Sequence, residues 1–185
     1  MTNDGVVLVT RAADFAARRH VDQRRKGAAR EPYINHLVEV AALLAEAMDG
    51  ADAALVAAGF LHDTLEDTPT EYEELQALFG NDVASLVAEV TDDKSLPKAE
   101  RKRLQIANAA KKSKRARLIK IADKTSNLRA LAASPPADWD VRLVAEYIEW
   151  AEQVVARCRN LNAKLEHAFD TALAEARAAI AMRVA

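Results

Sequence analysis

The chain has 185 residues, half of them hydrophobic and 29% charged, with a formal net charge of −2. That balance suits one globular domain with a buried core and excludes a disordered or collagen-like chain. Five glycines and five prolines argue against a turn-rich β-sandwich, and the lone Cys158 excludes an intrachain disulfide framework and fits a reducing compartment.

The first ten residues lack a basic n-region, and Val6–Val9 is too short for a secretory h-region. No apolar run approaches the ~20 residues that a membrane span needs. The expected location is therefore cytoplasmic, with no membrane partner. Leu37, Val40, Ala41, Leu44 and Met48 step by three and four, which predicts a helix that opens at His36. His36 shares a face with Val40, Leu43 and Ala47 and should point inward. Leu55 to Asp67 reads as one further helix ended by Thr68-Pro69. At about 100° per residue, positions 55, 59, 62, 63 and 66 lie on one face. That face starts with Leu55, passes Gly59 and finishes with His62, Asp63 and Glu66. A glycine in a helix interior costs about 1 kcal/mol relative to alanine, so Gly59 suggests a close backbone approach.

Three carboxylates, Asp63, Glu66 and Asp67, would then crowd a helix C-terminus, where the macrodipole disfavours them and they repel one another. A bound cation would reverse both penalties; pairing with basic residues elsewhere would do the same. Thr70–Glu73 has the form of a capping box opening a short helix that Gly80 closes, and Val83, Leu86, Val87 and Val90 continue the period. Pro97 is placed to start a helix over Ala99–Ala109. Between Lys98 and Lys120, ten basic residues face a single acid, Glu100, on an otherwise acidic chain. Such a local field favours an anionic small ligand over nucleic acid. The segment 118–130 is apolar on two sides and so buried, yet carries Asp123 with Asn127 one turn on. Ser134-Pro135-Pro136 separates it from a helix over Asp140–Arg159 marked by Val144, Tyr147, Ile148, Ala151, Val154, Val155 and Cys158. The fold class is all-α, with at most a minor β-hairpin.

Two histidines and two aspartates, His36, His62, Asp63 and Asp123, thus come from three helical segments. Mixed imidazole and carboxylate donors suit Mn²⁺, Fe²⁺ or Zn²⁺ better than Mg²⁺ or Ca²⁺. The pattern His36…His62-Asp63…Asp123 resembles the metal signature of the HD phosphohydrolases, and His62-Asp63-Thr-Leu-Glu66-Asp67 resembles the hydrolase domain of the RelA/SpoT homologues. Arg25-Lys26, Glu31-Pro-Tyr-Ile-Asn-His36, Val90-Thr-Asp-Asp-Lys94, Leu96-Pro-Lys98 and Ala122-Asp-Lys-Thr-Ser-Asn127-Leu-Arg agree with that branch, and most nearly with its small stand-alone SpoT-homologue type.

The resemblance implies one HD domain over 1–185, with a motif core at about 12–166 and a C-terminal helix to 185. No synthetase domain is expected beyond the hydrolase domain, which would separate the chain from the long bifunctional enzymes. The implied activity is Mn²⁺-dependent removal of the 3′-pyrophosphate of ppGpp or pppGpp, with one ion held by His36, His62, Asp63 and Asp123. Glu66 and Asp67 would orient and deprotonate water and pass a proton to the leaving oxygen, or else support the ligands. Arg25, Lys26, Lys98, Asn127 and Tyr147 would contact the nucleotide, and the other basic residues between 101 and 120 would be rim or surface. The sequence departs from the family pattern at Leu37, where proline is usual, at Thr125-Ser126, which replace a bulkier pair, and at Leu143, where a related arginine is displaced to Arg142. Rival activities are an NADPH 2′-phosphatase and a broader HD nucleotidase, and a rival of another class is a non-catalytic helical regulator. Oligomeric state is not legible in the sequence.

Overall fold

In the computed structural model, which describes residues 3–184, the chain runs through α1 (Asn3–Arg19), α2 (Ile34–Ala47), α3 (Ala53–Leu61), α4 (Thr64–Asp67), α5 (Tyr72–Val90), α6 (Lys98–Asn108), α7 (Lys114–Ala133), α8 (Val141–Ala156) and α9 (Ala163–Val184). The only β feature among the described residues is an isolated antiparallel bridge between Arg24 and Pro32, so the minor hairpin reduces to a pinch in the loop after α1. Helix α7 is central. It packs on α2, α5, α8 and α9, and its buried residues run almost unbroken from Leu118 to Ser126. A helix enclosed on both sides carries Asp123, Lys124, Thr125 and Ser126 into the interior, where each needs a partner. Around it close Leu37, Val40 and Leu44 of α2, Leu55 and Leu61 of α3, Val83 and Val87 of α5, Ile148 and Val155 of α8, and Phe169 of α9.

Helix starts follow local chemistry. Asp52, Ser113 and Asp140 each accept a backbone N–H, from Leu55, Ala116 and Leu143 respectively. Pro97 precedes α6 as its spacing suggests. Thr70 does not cap α5: its hydroxyl bonds that of Thr68 at 2.8 Å, and Glu71 precedes the helix with no side-chain cap. Gly80 interrupts α5 at φ +84°, a conformation that L side chains rarely adopt, and the helix resumes beyond it.

The continuous helix expected over Leu55–Asp67 is broken. α3 ends at Leu61, His62 and Asp63 form a turn with Asp63 at φ −99°, ψ 0°, and α4 restarts at Thr64. Nδ1 of His62 takes the Gly59 carbonyl at 2.8 Å, which draws the ring back along α3 and sets the break. Glu66 and Asp67 therefore lie in the first turn of a new short helix rather than at the end of a long one. At that end the macrodipole favours carboxylates, so these two acids do not call for a cation. Gly59 itself meets a close approach: a Cβ there would lie 2.7 Å from Leu44 Cδ1 and 3.3 Å from Ala41 Cα, so the glycine lets α3 sit against α2.

Candidate active site

Where α2, the α3–α4 turn and α7 meet, four polar side chains converge. Nε2 of His36 lies 3.4 Å from Asp123 Oδ1 and 3.7 Å from Asp63 Oδ2. Nε2 of His62 lies 3.1 Å from Asp63 Oδ2 and 4.0 Å from Asp123 Oδ1. His36, His62 and Asp123 each offer one ligand atom within 4.8 Å of the others. Imidazole and carboxylate donors so spaced fit a single divalent ion of the borderline type. The sharpest sign is Nε2 of His62, which is buried with no hydrogen-bond partner despite its nearness to Asp63. Its Nδ1 faces a carbonyl, which only accepts, so in the neutral ring the proton sits on Nδ1 and the orphaned Nε2 lone pair faces the cluster. That nitrogen is the ring atom placed to ligate a cation, once the ion displaces the proton that the neighbouring carboxylates favour there.

With no ion present, the His62 imidazole and the Lys124 ammonium offset the carboxylates of the cluster. Burial alone would press the His62 imidazole down, but the Asp63 and Asp123 carboxylates outweigh it and raise its pKa to about 9. Burial lowers His36. Burial would raise Asp123, but the Lys124 ammonium, 2.7 Å from its Oδ2, and the imidazoles hold it well below the carboxylate range. Asp63 is held low by His62 against the same burial.

The acid pair lies at the mouth of this cluster. Burial, then the charges of Asp63 and Asp92, raise the Glu66 carboxyl, and its Oε2 accepts from the Asp92 N–H at 3.2 Å. Asp67 is paired with Lys94 and accepts from Gln23 Nε2 at 3.1 Å. Gln23 in turn is fixed by Nδ1 of buried His20 at 2.5 Å. Lys94 lies outside the 98–120 basic run, so that run does not neutralise Asp67.

From the cluster a cleft of about 340 Å³ opens between the 23–27 loop, α6, α7 and α8. Arg25, Lys26, Glu66, Asp67, Lys98, Asn127 and Tyr147 all line it. Asn127 links the two regions: its Nδ2 donates to Asp123 Oδ1 at 2.6 Å, and its Oδ1 accepts from Arg25 Nη2 at 3.0 Å. Tyr147 stands between Trp139 and Trp150, at ring distances of 5.7 and 5.3 Å, as an aromatic wall. Arg142 is 89% exposed beside Asp140, and neither it nor Leu143 lines the cleft.

All eleven candidate residues thus gather in one region, and several others join them. Arg101 and Lys102 line the cleft, and Lys120 is buried with its ammonium on the Val90 carbonyl at 2.7 Å, so Lys120 is not the rim or surface residue expected. Lys102 lies over the Trp150 ring at 5.0 Å, and Lys124 over the same ring at 4.4 Å. Tyr33 donates to Asp63. Its place in the run Pro32-Tyr33-Ile34-Asn35-His36 was the available signal, since an aromatic three residues before a ligand histidine falls on the same side of the helix entry.

The helical fold and the His-Asp cluster define a class: the HD-domain profile matches residues 12–149, and the chain belongs to the HD-domain family. That domain implies a divalent metal. Among individual relatives, the chain is 47% identical over 170 residues to the guanosine-3′,5′-bis(diphosphate) 3′-pyrophosphohydrolase MESH1 of Xenopus tropicalis, covering 92% of this chain and 94% of that protein. It is 50% identical over 158 residues to MESH1 of Homo sapiens, covering 85% and 88%. The solved structure of a metazoan ortholog of SpoT that hydrolyzes ppGpp and plays a role in starvation responses superposes with a TM-score of 0.87 at 45% identity, over 91% of this chain and 94% of that one.

Proposed function

We propose that this protein removes the 3′-pyrophosphate of ppGpp and pppGpp, giving GDP or GTP and pyrophosphate, with one Mn²⁺ held by His36, His62, Asp63 and Asp123. The reading treats 1–185 as a single HD phosphohydrolase domain. The observation that carries it is the joining of the four-donor cluster to a cationic cleft through Asn127, which touches both Asp123 and Arg25. The identity of the relatives supports the substrate.

When bound, the metal supplies acidification of a water and neutralisation of phosphoryl charge. The chain's own residues do the rest. Lys98 offers a cationic donor of the kind phosphate oxygens need, and Arg25 and Lys26 lie against the purine. Tyr147 and its tryptophan neighbours wall the nucleoside side of the cleft. Glu66, whose carboxyl is raised by burial, takes the proton from water as it attacks the phosphorus bonded to the ribose 3′-oxygen. The bond from that phosphorus to O3′ breaks, and the acid pair returns a proton to O3′. Asp67, fixed by Gln23 and Lys94, orients the water.

Purified Mn²⁺-loaded protein should be incubated separately with ppGpp, NADPH and GTP and the products identified. Inorganic pyrophosphate and GDP from ppGpp are expected. Orthophosphate and NADH from NADPH, or turnover confined to GTP, would replace this substrate. Full turnover by metal-free Asp63→Ala protein would remove the metal-hydrolase reading altogether.

A further inference from the structure

Behind His36, on the side away from the cluster, lies a chain of polar contacts that the reaction does not use. Nδ1 of His36 meets Ser126 Oγ at 2.8 Å, Ser126 Oγ donates to Glu39 Oε2 at 2.6 Å, and Glu39 Oε1 accepts from Arg129 Nη1 at 2.9 Å. Ser126 is one of the two positions at which the sequence departs from the bulkier pair of its family. We propose that Ser126 and Glu39, braced by Arg129, are positioning residues that lock the His36 ring with its proton on Nδ1 and thereby set the metal affinity of the centre.

The direction of each bond carries the argument. A carboxylate only accepts, so the Ser126 hydroxyl is committed to donating to Glu39. Its oxygen is then available to His36 solely as an acceptor, and Nδ1 must carry the hydrogen. Nε2 is left with its lone pair aimed at the cluster, 3.4 Å from Asp123 and 3.7 Å from Asp63. A ring with its proton on Nε2 could not ligate through that nitrogen. Without Glu39, the hydroxyl is free to rotate and donate to Nδ1, which favours the non-ligating tautomer.

Stability alone does not account for the relay. The Glu39–Arg129 pair is part-exposed, with side-chain exposures of 34% and 40%, and such pairs contribute little to folding. Among the described residues, however, Glu39 is the carboxylate that the Ser126 hydroxyl meets, and Ser126 itself is fully buried. The same device recurs at His62, where the Gly59 carbonyl replaces the hydroxyl and carboxylate as the acceptor. Both imidazoles are thus held by an acceptor at Nδ1, one supplied by backbone and one built from side chains.

The inference rests on the proposed role of His36 as a ligand. The test is Mn²⁺ affinity, measured by calorimetric titration and by chelator competition, for wild type, Ser126→Ala, Glu39→Gln, the double variant and His36→Ala. Ser126→Ala and Glu39→Gln should each weaken Mn²⁺ binding about 10- to 100-fold, the range found when outer-shell partners of ligand histidines are removed. The double variant should be no worse than the weaker single one, because both act through one ring. Ring nitrogen shifts of His36 in protein loaded with a diamagnetic divalent ion should report Nδ1–H held by an acceptor in wild type and a loss of that hydrogen bond in Glu39→Gln. The Glu39 change lies at the surface, so it keeps the test open should the buried Ser126→Ala variant unfold. Unchanged affinity in Glu39→Gln, or losses that add in the double variant, would overturn the relay. Wild-type affinity in His36→Ala would instead overturn the ligand assignment itself.

Discussion

The phenol of Tyr33 donates to Asp63 Oδ2 at 2.5 Å, and that oxygen is the one facing both imidazoles. Burial, followed by the Asp63 charge, pushes the Tyr33 hydroxyl well above its ordinary pKa, so it remains a donor across the working range. The bond therefore aims one carboxylate oxygen at the cluster. A hydrogen bond to a charged group contributes about 1.5–3 kcal/mol. Tyr33→Phe should bind divalent metal about tenfold more weakly, because the Asp63 oxygen loses its aim, and the metal-free protein should melt several degrees lower for the loss of that bond. Titration of Mn²⁺ into both proteins checks this, and equal affinities would mean the phenol does not orient the ligand.

Glu66 and Asp67 lie one turn beyond the proposed ligand Asp63, yet both carboxylates are engaged elsewhere. Glu66 takes the Asp92 amide, and Asp67 takes Gln23 and Lys94. That separation predicts distinct phenotypes for acid and ligand variants. Glu66→Gln and Asp67→Asn should retain bound metal and lose turnover by about 10²- to 10⁴-fold, the usual contribution of a positioned acid or base. Metal content by elemental analysis beside initial rates decides the matter. Metal loss with activity restored at high Mn²⁺ would make the pair supports for the ligands.

How far the sequence reveals this site depends on the distance over which each contact acts. His36 and Asp123 stood out because a polar residue on an apolar helix face needs a partner, and that logic is local. The break at His62-Asp63 did not, because the ring-to-carbonyl bond that sets it leaves the hydrophobic period untouched. The dipole argument drawn from an unbroken helix pointed to a metal for a reason that the structure removes. Gln23 and Lys94 gain their meaning from Asp67, an acid that the fold, not the local pattern, places beside them. Lys120 reads as one more charge in a basic run, and only the packing of α5 on α7 turns it into a buried ammonium on a carbonyl. The all-helical architecture was legible throughout, since long amphipathic periods decide it.

Removing the metal should lower stability as well as activity. The cluster forms only in the folded chain, so a divalent ion at a hundredfold excess over its dissociation constant adds about 2.7 kcal/mol, or about 5–10 °C in melting temperature for a domain this size. The sign with pH follows from His62. In the metal-free protein its imidazole is raised to about 9, so below that pH the incoming ion must displace a proton. Apparent affinity should fall as pH falls, by up to about tenfold per unit for one displaced proton. Melting curves with and without chelator at several pH values measure both effects. A metal-induced shift that grows as pH drops would contradict them.

The loop that carries Arg25 and Lys26 is fastened at Gly27. A Cβ at that position would lie 2.2 Å from the Ser134 carbonyl oxygen, a backbone atom at the end of α7. The neighbouring Ala29 N–H donates to Ser134 Oγ at 2.9 Å, and the Ala28 N–H to the Pro135 carbonyl at 3.3 Å, so the loop has little room to slide. Gly27→Ala must push the loop outward and carry Arg25 away from Asn127. The proposed metal ligands lie on α2, α7 and the α3–α4 turn, none of which includes this loop. The variant should therefore keep its metal affinity within about twofold while KM for the nucleotide rises by about tenfold, the factor that corresponds to loss of ~1.4 kcal/mol of uniform binding. Steady-state kinetics beside metal titration separate the two quantities. An unchanged KM would show that the Arg25 arm does not hold the nucleotide, and a parallel loss of metal would show that the Arg25–Asn127–Asp123 link is required to build the centre itself.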